Sequence, residues 1–600
     1  YNSSIEREIQ KLKKSEEITQ EKENELIAKK ILPIVGCEFH VCNDRMDKSY
    51  KDNGYQIPFL AKNKNGYQNL IQLCSAGFVE GFYYVPRIDR NIIPQFKEDV
   101  IVTTGGLYGQ IPQMILNEGE SKAEEAFLWW KEQFKEDFYI ELFRHGLEEE
   151  ERVNAVLLQF AKKHNVKYFA SNDTYYLNQD DADAHDVLLC IKDGERKSTP
   201  KGRGRGFRFG FSNDEYYFKS QDEMKSLFAD LPEAISTTND IISKCEPYRL
   251  ASDVLLPAFQ IPAEFQDEKD QADSSLKLGE NNYLRHLTYE GAKKRYEEIT
   301  PEIEERLDFE LETIKNTGYP GYFLIVQDLM NYCRDLGVPA DVRGSSSGCM
   351  ISYLLGISSI DPMNPDPTIS YSEERELPFE RFYNEGRNTK GNVSLADIDI
   401  DVPPSFRERL IRHIKEKYGR DCVGHIITHS KFKGKGALKE VFRLTKPVPN
   451  YFDVANEITK VMIDEAKISD ELNEKQQENP GYGIIQWNID NVPAFSNFYE
   501  TYKETFDIAI KLEQIPKNES VHAAGIIIAD QPLKNLFPLR YSAKLDELVI
   551  DIEGSDIESL GGVKFDILGV AAIEKLYHIS MMVNSGSLSC EFGMDIEDGQ

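Results

Sequence analysis

The chain has 600 residues, of which 40% are hydrophobic and 11% aromatic, and its formal net charge is −31. This length exceeds what one hydrophobic core can serve, so we expect about three to five folded domains, and the composition excludes a disordered polymer. The absence of an eighteen-residue apolar run predicts no membrane span, and nine scattered cysteines without a CxxC pair predict a reduced, cytoplasmic protein without a structural zinc site.

The first half of the chain alternates between helix-like and strand-like segments. The spacing of apolar residues in 1–30 predicts a charged helix with its apolar side chains on one face. Between residues 31 and 177, short apolar runs alternate with amphipathic stretches, which predicts an α/β domain with a parallel sheet. Residues 251–280 are rich in polar residues and proline and predict a linker. Because the chain opens at Tyr1 instead of Met, we expect it to be part of a longer protein.

Two basic runs stand out against the acidic average. One spans Lys201–Arg208 and the other spans Lys431–Lys439, and both contain glycine. Cations concentrated in this way can hold phosphate groups, but such runs are also typical of solvated loops. The acidic net charge by itself argues against a nucleic-acid partner, so a DNA-binding function would require local patches of this kind.

The second half of the chain begins with helices and continues with strands that carry acidic residues. A long helical stretch is predicted for residues 281–316, followed by a turn and an apolar helix from Tyr322 to Cys333. Residues 432–512 predict a mostly helical, polar segment. Strand-like patterns return at residues 521–529 and 548–568.

The sharpest chemical signal is the alternating segment Leu395–Val402, which predicts a strand with one apolar and one acidic face. Three carboxylates on one face repel each other unless a cation lies between them, and Mg²⁺ is a hard cation that binds carboxylate oxygens. A solvent-exposed face without a ligand is the alternative. The apolar residues are Ile398, Ile400 and Val402, and the acidic residues are Asp397, Asp399 and Asp401.

Two further motifs carry groups suited to phosphate chemistry. In Gly561–Leu568, a strand presents Lys564 and Asp566 on one face, which is either part of a metal site or an ordinary surface ion pair. In Arg343–Gly356, a Gly- and Ser-rich loop leads into an apolar helix, whose backbone N–H groups could cradle a triphosphate or simply be capped by Ser. Together the three motifs suit phosphoryl transfer with two metal ions about 3.5–4 Å apart.

The order and wording of many segments resemble the alpha subunits of bacterial DNA polymerase III, the C family of replicative polymerases. The resemblance runs through nearly the whole chain. Its matching segments are Ile34–Glu38, Leu60–Asn63, Glu80–Tyr84, Pro86–Asp89, Ala184–Cys190, Tyr289–Arg295, Thr317–Val326, Phe379–Phe382, Val521–Gly525 and Val563–Gly569.

The resemblance implies a multidomain α/β and α+β protein. A β/α barrel-like PHP domain is followed by a nucleotidyltransferase-type palm with a helical thumb. The implied domains are the N-terminally incomplete PHP domain at 1–260, the first part of the palm at 261–431, the thumb at 432–512, the second part of the palm at 513–570, and the start of the fingers at 571–600.

The resemblance also implies template-directed DNA synthesis by two-metal nucleotidyl transfer from dNTP to a primer 3′-hydroxyl. Asp399, Asp401 and Asp566 are then the catalytic residues and hold two Mg²⁺ ions. His522 matches a motif histidine whose role does not follow from the sequence. The implied nucleotide-binding residues are Arg343, Gly344, Ser345, Arg387, Lys435 and Lys564.

The metal site that PHP domains usually carry is implied to be depleted here. Only Glu38, His145 and Asp173 match its ligands, whereas Gly106 and Tyr175 stand at a cysteine and a histidine position. We therefore predict a PHP domain that is structural and binds no metal.

The expected partners are primer-template DNA and dNTP. A sliding clamp and other replisome subunits would be contacted by regions that follow this chain in the family, and no membrane contact is expected. The family's Gly-Pro-Gly-Arg-Gly-Ser loop is replaced by Ala340–Ser345, which introduces Asp341 beside the phosphate-gripping residues. This change keeps open a catalytically impaired scaffold that binds DNA or replisome partners. A PHP-type phosphoesterase is a third function, which the missing ligands disfavour.

Overall fold

The computed structural model describes residues 30–584 except for 203, 251–254, 274–275, 364–376 and 384–396. Before residue 30 it describes Ile5, Leu12, Lys22 and Leu26, all of which are helical. Ile5 and Leu26 are buried in one small cluster against Leu12, consistent with the one-sided apolar pattern of this segment. None of the helices in these ranges is long and apolar enough to cross a membrane.

The chain divides into two compact units, each built from two segments. The first unit combines residues 1–248 with 429–519, and the second combines residues 249–428 with 520–600. The predicted thumb segment, 432–512, therefore falls in the same unit as most of the predicted PHP segment. The three crossings between units lie within a dozen or so residues of the boundaries implied at 260, 431 and 512.

The first unit contains a six-stranded sheet with the strand order β3-β1-β2-β4-β5-β6. Strand β2 runs antiparallel to both β1 and β4, whereas the other three pairs are parallel. The prediction of a parallel sheet is therefore wrong for β2. The loop between β1 and β2 contains no helix, and a crossover to a parallel neighbour usually requires one. The strands are β1 Gly36–Cys42, β2 Tyr55–Ala61, β3 Arg87–Asp89, β4 Val100–Thr103, β5 Phe138–Leu142 and β6 Tyr168–Ala170.

Helices cover this sheet, and among the described residues the core beneath them combines aliphatic side chains with eight aromatic ones. Phe59 on β2 packs edge-on against Trp130, with 6.1 Å between the ring centroids, and both side chains are almost fully buried. Burial of a large apolar side chain typically stabilises a fold by about 1.5–3 kcal/mol. The α-helices described between residues 30 and 248 are Lys64–Val79, Gln110–Asn117, Glu120–Phe134, Glu148–His164, Ala182–Asp193, Gln221–Leu227 and Pro232–Lys244, of which Ala182–Asp193 packs into a different core.

Residues 432–512 of the first unit are helical, as predicted. Their core contains Phe442, Phe495 and Phe506, and the helix Ala182–Asp193 contributes Val187 to it. Each helix buries one face only, which explains why the segment is polar on average. The helices are Gly434–Thr445, Tyr451–Val461, Ser469–Glu478, Ile484–Asn491, Pro493–Thr501 and Lys503–Leu512.

The second sheet has seven strands in the order β11-β12-β9-β10-β13-β8-β7. Strand β8 lies between β13, which runs parallel to it, and β7, which runs antiparallel to it. Of the segment Leu395–Val402 predicted as a strand, only residues 399–402 form β8, with β7 as the edge strand beside it. Residues 397 and 398 precede the strand, so Asp397 is not part of it, and residues 395 and 396 lie outside the described residues. The strands are β7 Asp341–Arg343, β8 Asp399–Val402, β9 Val423–Lys431, β10 Pro516–Ile528, β11 Leu539–Ser542, β12 Glu547–Glu553 and β13 Lys564–Gly569.

The helices of the second unit differ from the prediction at three places. The helix Glu268–Ala272 lies within the predicted linker, and the helix Gly554–Ser559 interrupts the segment 548–568 that was predicted as strand-like. The helical stretch predicted for 281–316 is two helices, because Thr300 accepts a hydrogen bond from the Ile303 N–H and Pro301 occupies the first helical position. Both are signals for the start of a new helix. The helices are Glu268–Ala272, Leu278–Arg295, Pro301–Thr317, Pro320–Asp335, Met350–Leu354, Pro404–Tyr418, Gly554–Ser559 and Ala571–Asn584.

Candidate active site

Three acidic residues that are far apart in the sequence lie on two adjacent strands. Strands β13 and β8 are paired so that Asp566 lies directly opposite Asp399, and Asp401 follows two residues later on β8. Paired strands lie about 4.8 Å apart, and residues two positions apart on one strand are separated by about 6.6 Å. Ile400 and Ile567 are buried in the main core of this unit. Because side chains alternate along a strand, the three carboxylates share the opposite face.

Strand β7 adds further charged residues to this face. Arg343 lies opposite Asp399, and Asp341 lies opposite Asp401. Arg343 Nη2 is 3.2 Å from Asp401 Oδ1. The carboxylate of Asp341 is held from another direction, because its Oδ2 accepts a 2.6 Å hydrogen bond from the Ser359 hydroxyl. We call the surface formed by residues 341, 343, 399, 401, 564 and 566 the acid face.

Lys564 is the second cation of the acid face. Its Nζ lies 3.0 Å from Asp566 Oδ2, two residues along the same strand. Burial lowers the pKa of Lys564, but the carboxylates of Asp566, Asp397 and Glu558 outweigh this effect, so the pKa is raised overall. With four carboxylates and two cations, the acid face keeps an excess of negative charge.

Two buried carboxylate oxygens of the acid face have no hydrogen-bond partner among the described residues. These atoms are Asp401 Oδ1 and Asp566 Oδ1. The approach of Arg343 to Asp401 lacks hydrogen-bond geometry. Burial also raises the pKa of Asp401. Buried oxygens without partners are costly, and a hard cation would satisfy them.

The donor set therefore has the right chemistry for Mg²⁺. Within the described residues, however, no group of three or more His, Cys, Asp or Glu side chains is arranged to hold a metal ion. Instead, Asp401 and Asp566 are each paired with a cation of the chain.

Strand β10 brings a histidine and a glycine to the acid face. Gly525 lies opposite Asp566, and a Cβ atom on it would lie 3.3 Å from Asp566 Oδ1 and 3.0 Å from His522 Nδ1. Glycine thus allows both polar groups to approach the backbone. His522 Nδ1 accepts hydrogen bonds from the N–H groups of Gly525 and Ala524, at 2.7 and 3.3 Å. It is therefore unprotonated, and in the neutral ring the proton lies on Nε2.

The triphosphate cradle predicted at Arg343–Gly356 is only partly available. The backbone N–H groups of Met350 and Ile351, at the start of the short helix, each donate a 3.1 Å hydrogen bond to the carboxylate of Glu310. Glu310 is completely buried, and Arg306 Nε lies 2.7 Å from its Oε1. The protein's own carboxylate thus occupies the anion position at this helix, so these N–H groups do not form the cradle.

The exposed part of the same loop remains open. Arg343, Gly344 and Ser345 are exposed, and Gly344 has a φ of +84°, a conformation that favours glycine. These three residues stay candidates for phosphate binding, whereas Ser346 is buried.

Two other predicted nucleotide-binding residues lie outside the described part of the second unit. Lys435 belongs to the first unit and pairs with Asp464 at 2.5 Å. Arg387 lies outside the described residues, so its prediction stays as it was.

The three residues that match PHP ligands lie in the first unit and interact with one another. His145 Nδ1 is 2.7 Å from Glu150, and His145 Nε2 accepts a 3.2 Å hydrogen bond from the backbone N–H of Asp173. Both ring nitrogens are therefore engaged within the protein. Burial, with the charge of Asp173 as a second cause, raises the pKa of Glu38. Burial likewise raises the pKa of the nearby Glu141 to about 7.

Comparison with known families identifies two regions of the chain. Residues 282–569 match the model of the bacterial DNA polymerase III alpha NTPase domain. Residues 9–145 match the PHP domain. The first match contains β7, β8, β10 and β13, and thus every strand of the acid face.

Curated relatives extend the similarity over nearly the whole chain. A DNA polymerase III subunit alpha of Borreliella burgdorferi is 35% identical over 92% of this chain and 45% of its own length. The protein of the same name from Treponema pallidum is 33% identical over 93% of this chain and 44% of its own length. The protein of the same name from Aquifex aeolicus is 32% identical over 92% of this chain and 47% of its own length. The chain thus spans a little under half the length of these relatives. It belongs to the family of bacterial DNA polymerase III alpha subunits.

Proposed function

We propose that this chain carries the catalytic palm of a template-directed DNA polymerase, which transfers a nucleotidyl group from dNTP to a primer 3′-hydroxyl. The observation that carries the proposal is the pairing of Asp566 with Asp399 across β13 and β8. It brings an acid from near residue 570 beside two acids of a strand that ends at Val402. Nothing about an ordinary surface ion pair would require these carboxylates to share one face of a sheet.

In this proposal Asp399, Asp401 and Asp566 hold two Mg²⁺ ions. Two ions bound in this way would activate the 3′-hydroxyl and stabilise the pyrophosphate that leaves. The unsatisfied oxygens of Asp401 and Asp566 support this assignment, since they are buried acceptors without donors.

The chain's own cations would hold the triphosphate. Arg343 and Lys564 lie on the acid face and neutralise carboxylates there. A guanidinium group can bind two phosphate oxygens at once, and an ammonium group acts as a compact point charge. We infer that Arg343, with the exposed backbone of Gly344 and Ser345, orients the phosphates, while Lys564 limits the negative charge around Asp566.

His522 would position rather than react. Its Nδ1 is occupied by backbone N–H groups, so Nε2 is its only free nitrogen. The ring holds the backbone of β10 in the position in which Gly525 lies opposite Asp566.

A second function, an inactive scaffold of the same fold, has one observation in its favour. The carboxylates of Asp401 and Asp566 already have cationic partners, and Glu310 fills the helix N-terminus that could have bound phosphate. A scaffold of this kind would bind DNA or replication partners without binding dNTP.

Calorimetric titration with dATP separates the two functions. We expect binding that requires Mg²⁺ and that Asp401→Asn weakens by more than about 100-fold, because direct metal ligands matter more than the groups behind them. Asp421→Asn is the matched control, since Asp421 is exposed and belongs to the same unit. Primer extension by the active protein should fall in parallel. Binding of dATP that is equal in EDTA and in Mg²⁺ would contradict the polymerase proposal.

A further inference from the structure

The basic loop that follows the helix Ala182–Asp193 has a charge unlike the rest of the chain. Residues 196–213 contain six lysines and arginines and no acidic residue, in a protein whose net charge is −31. The proposed polymerase site does not use this loop, which belongs to the first unit. Such a local excess of positive charge is what a polyanion would recognise.

The base of the loop is held rigidly. Arg208 is 5% exposed, and its guanidinium makes two 2.8 Å hydrogen bonds to the carboxylate of Asp186. Arg208 Nε also donates to the carbonyl of Thr199 at 2.9 Å. At the tip, Gly204 and Gly206 have φ values of +91° and +89°, which side chains rarely allow. The loop is therefore a built turn and not merely a solvated linker.

Two phenylalanines flank the buried arginine and are open to solvent. Phe207 is 51% exposed and Phe209 is 50% exposed. They stand on either side of the buried Arg208, and each ring has one contact within the loop: Phe209 packs edge-on against Phe211, with 5.8 Å between the ring centroids. One face of the Phe207 ring lies on Gly202, where a Cβ atom would come within 2.6 Å of the ring. The ring is thus supported from behind and presents its other face.

Arg205 precedes Phe207 by two residues and adds a positive charge to this part of the loop. Arg205 is exposed at the tip, and it forms no ion pair with any residue that the structure describes. By contrast, Lys201 and Lys197 are paired with acids of the preceding helix. Arg205 is therefore available to a phosphate, while the paired lysines contribute to the local field.

We propose that this loop is a docking platform for single-stranded DNA. Two bases stack on Phe207 and Phe209, and Arg205 binds the backbone phosphate between or beside them. Solvent-exposed aromatic rings combined with cations are the general solution for binding single strands, because every base offers a flat face. An acidic peptide would use the cations but would gain nothing from rings held open in this way. The proposal does not depend on the catalytic acids.

The test is fluorescence anisotropy of a dye-labelled oligothymidylate of about 16 nucleotides, titrated with the 600-residue chain. We expect the double variant Phe207→Ala/Phe209→Ala to bind at least about tenfold more weakly, with an unchanged dependence on salt. Arg205→Ala should weaken binding and lower the slope of log affinity against log salt by about 0.7, as expected for one lost phosphate contact on a single strand. Phe82→Ala is the aromatic control, because Phe82 is 48% exposed in the same unit.

Two results would overturn the proposal. One is a double phenylalanine variant that binds the oligonucleotide as well as the parent does. The other is an equal loss with Phe82→Ala. If Arg205→Ala alone matters, and polyglutamate competes as well as the oligonucleotide, the loop binds acidic polymers instead. The Phe207→Ala/Phe209→Ala variant should bind dATP in Mg²⁺ as the parent does, so failure of the platform and failure of the polymerase site can be told apart.

Discussion

Replacement of Glu310 by alanine should destabilise the second unit by about 3–5 kcal/mol. The substitution leaves Arg306 without its buried partner and leaves the N–H groups of Met350 and Ile351 without acceptors. Removal of one member of a buried ion pair typically costs about 3–5 kcal/mol. Two buried N–H groups without acceptors cost about 1–3 kcal/mol each, or about 2–6 kcal/mol together. The two figures describe the same lost contacts, so they are not added.

Urea unfolding gives the free energy, and hydrogen exchange of the peptide that contains Met350 and Ile351 locates the effect. Exchange there should accelerate by about 100-fold or more, since 1.4 kcal/mol corresponds to a factor of ten. Glu312→Ala is the control on the same helix, because Glu312 is exposed and its pair with Lys315 lies at the surface. We expect it to change stability by less than about 1 kcal/mol. A loss below about 1 kcal/mol for Glu310→Ala would refute the role assigned to this carboxylate.

Two further predictions concern the acid face and the helical segment. Gly525→Ala should weaken Mg²⁺-dependent dATP binding by about tenfold or more, because the new methyl group would press on Asp566; Gly436→Ala, where a Cβ meets nothing within 4 Å, should not. Burial raises the pKa of Glu513 from 4.5 to about 7, so the neutral form is favoured in the folded state and the free energy of unfolding should fall by about 3 kcal/mol as pH rises from 4.5 to 7. Glu513→Gln should flatten the dependence of the free energy of unfolding on pH in this range, whereas the exposed Glu504→Gln should not. If Glu513→Gln leaves this dependence unchanged, Glu513 is not the group responsible for it.

The strands of the acid face could be predicted from local patterns, but their pairing could not. The alternation around Asp399 and around Asp566 indicates which side chains share a face of each strand. Whether the two strands are neighbours, and in which register, depends on contacts between segments more than 160 residues apart. The family resemblance implied only that Asp399, Asp401 and Asp566 act together, and the pairing and register come from the fold.

The role of Glu310 was missed, although the sequence contains a signal for it. The helix Pro301–Thr317 carries many acids, and Glu310 looks like one more of them. It lies, however, on the same stripe as the buried Ile303, Leu307 and Ile314, at the spacing of one helix face. A charged residue within an apolar stripe is expected to have a buried partner. Only the fold shows that the partners are the start of another helix.

The mixed sheet of the first unit was mispredicted for a different reason. Strand-like and helix-like segments alternate along most of residues 31–177, which favours parallel pairing. Between β1 and β2 this alternation fails, since the connecting loop contains no helix. The antiparallel pairing of β2 therefore follows from this one loop, an exception to the alternation of strand-like and helix-like segments in most of residues 31–177.

The central claim is that Asp399, Asp401 and Asp566 together form one divalent-cation site. Electron paramagnetic resonance titration with Mn²⁺ tests it directly, because free Mn²⁺ gives a signal that is lost on binding. We expect Asp566→Asn to weaken Mn²⁺ binding by at least about 100-fold, as Asp401→Asn should, whereas the exposed Asp556→Asn leaves it unchanged. If Asp566→Asn binds Mn²⁺ as tightly as the parent chain, the three acids do not form one site and the account is contradicted.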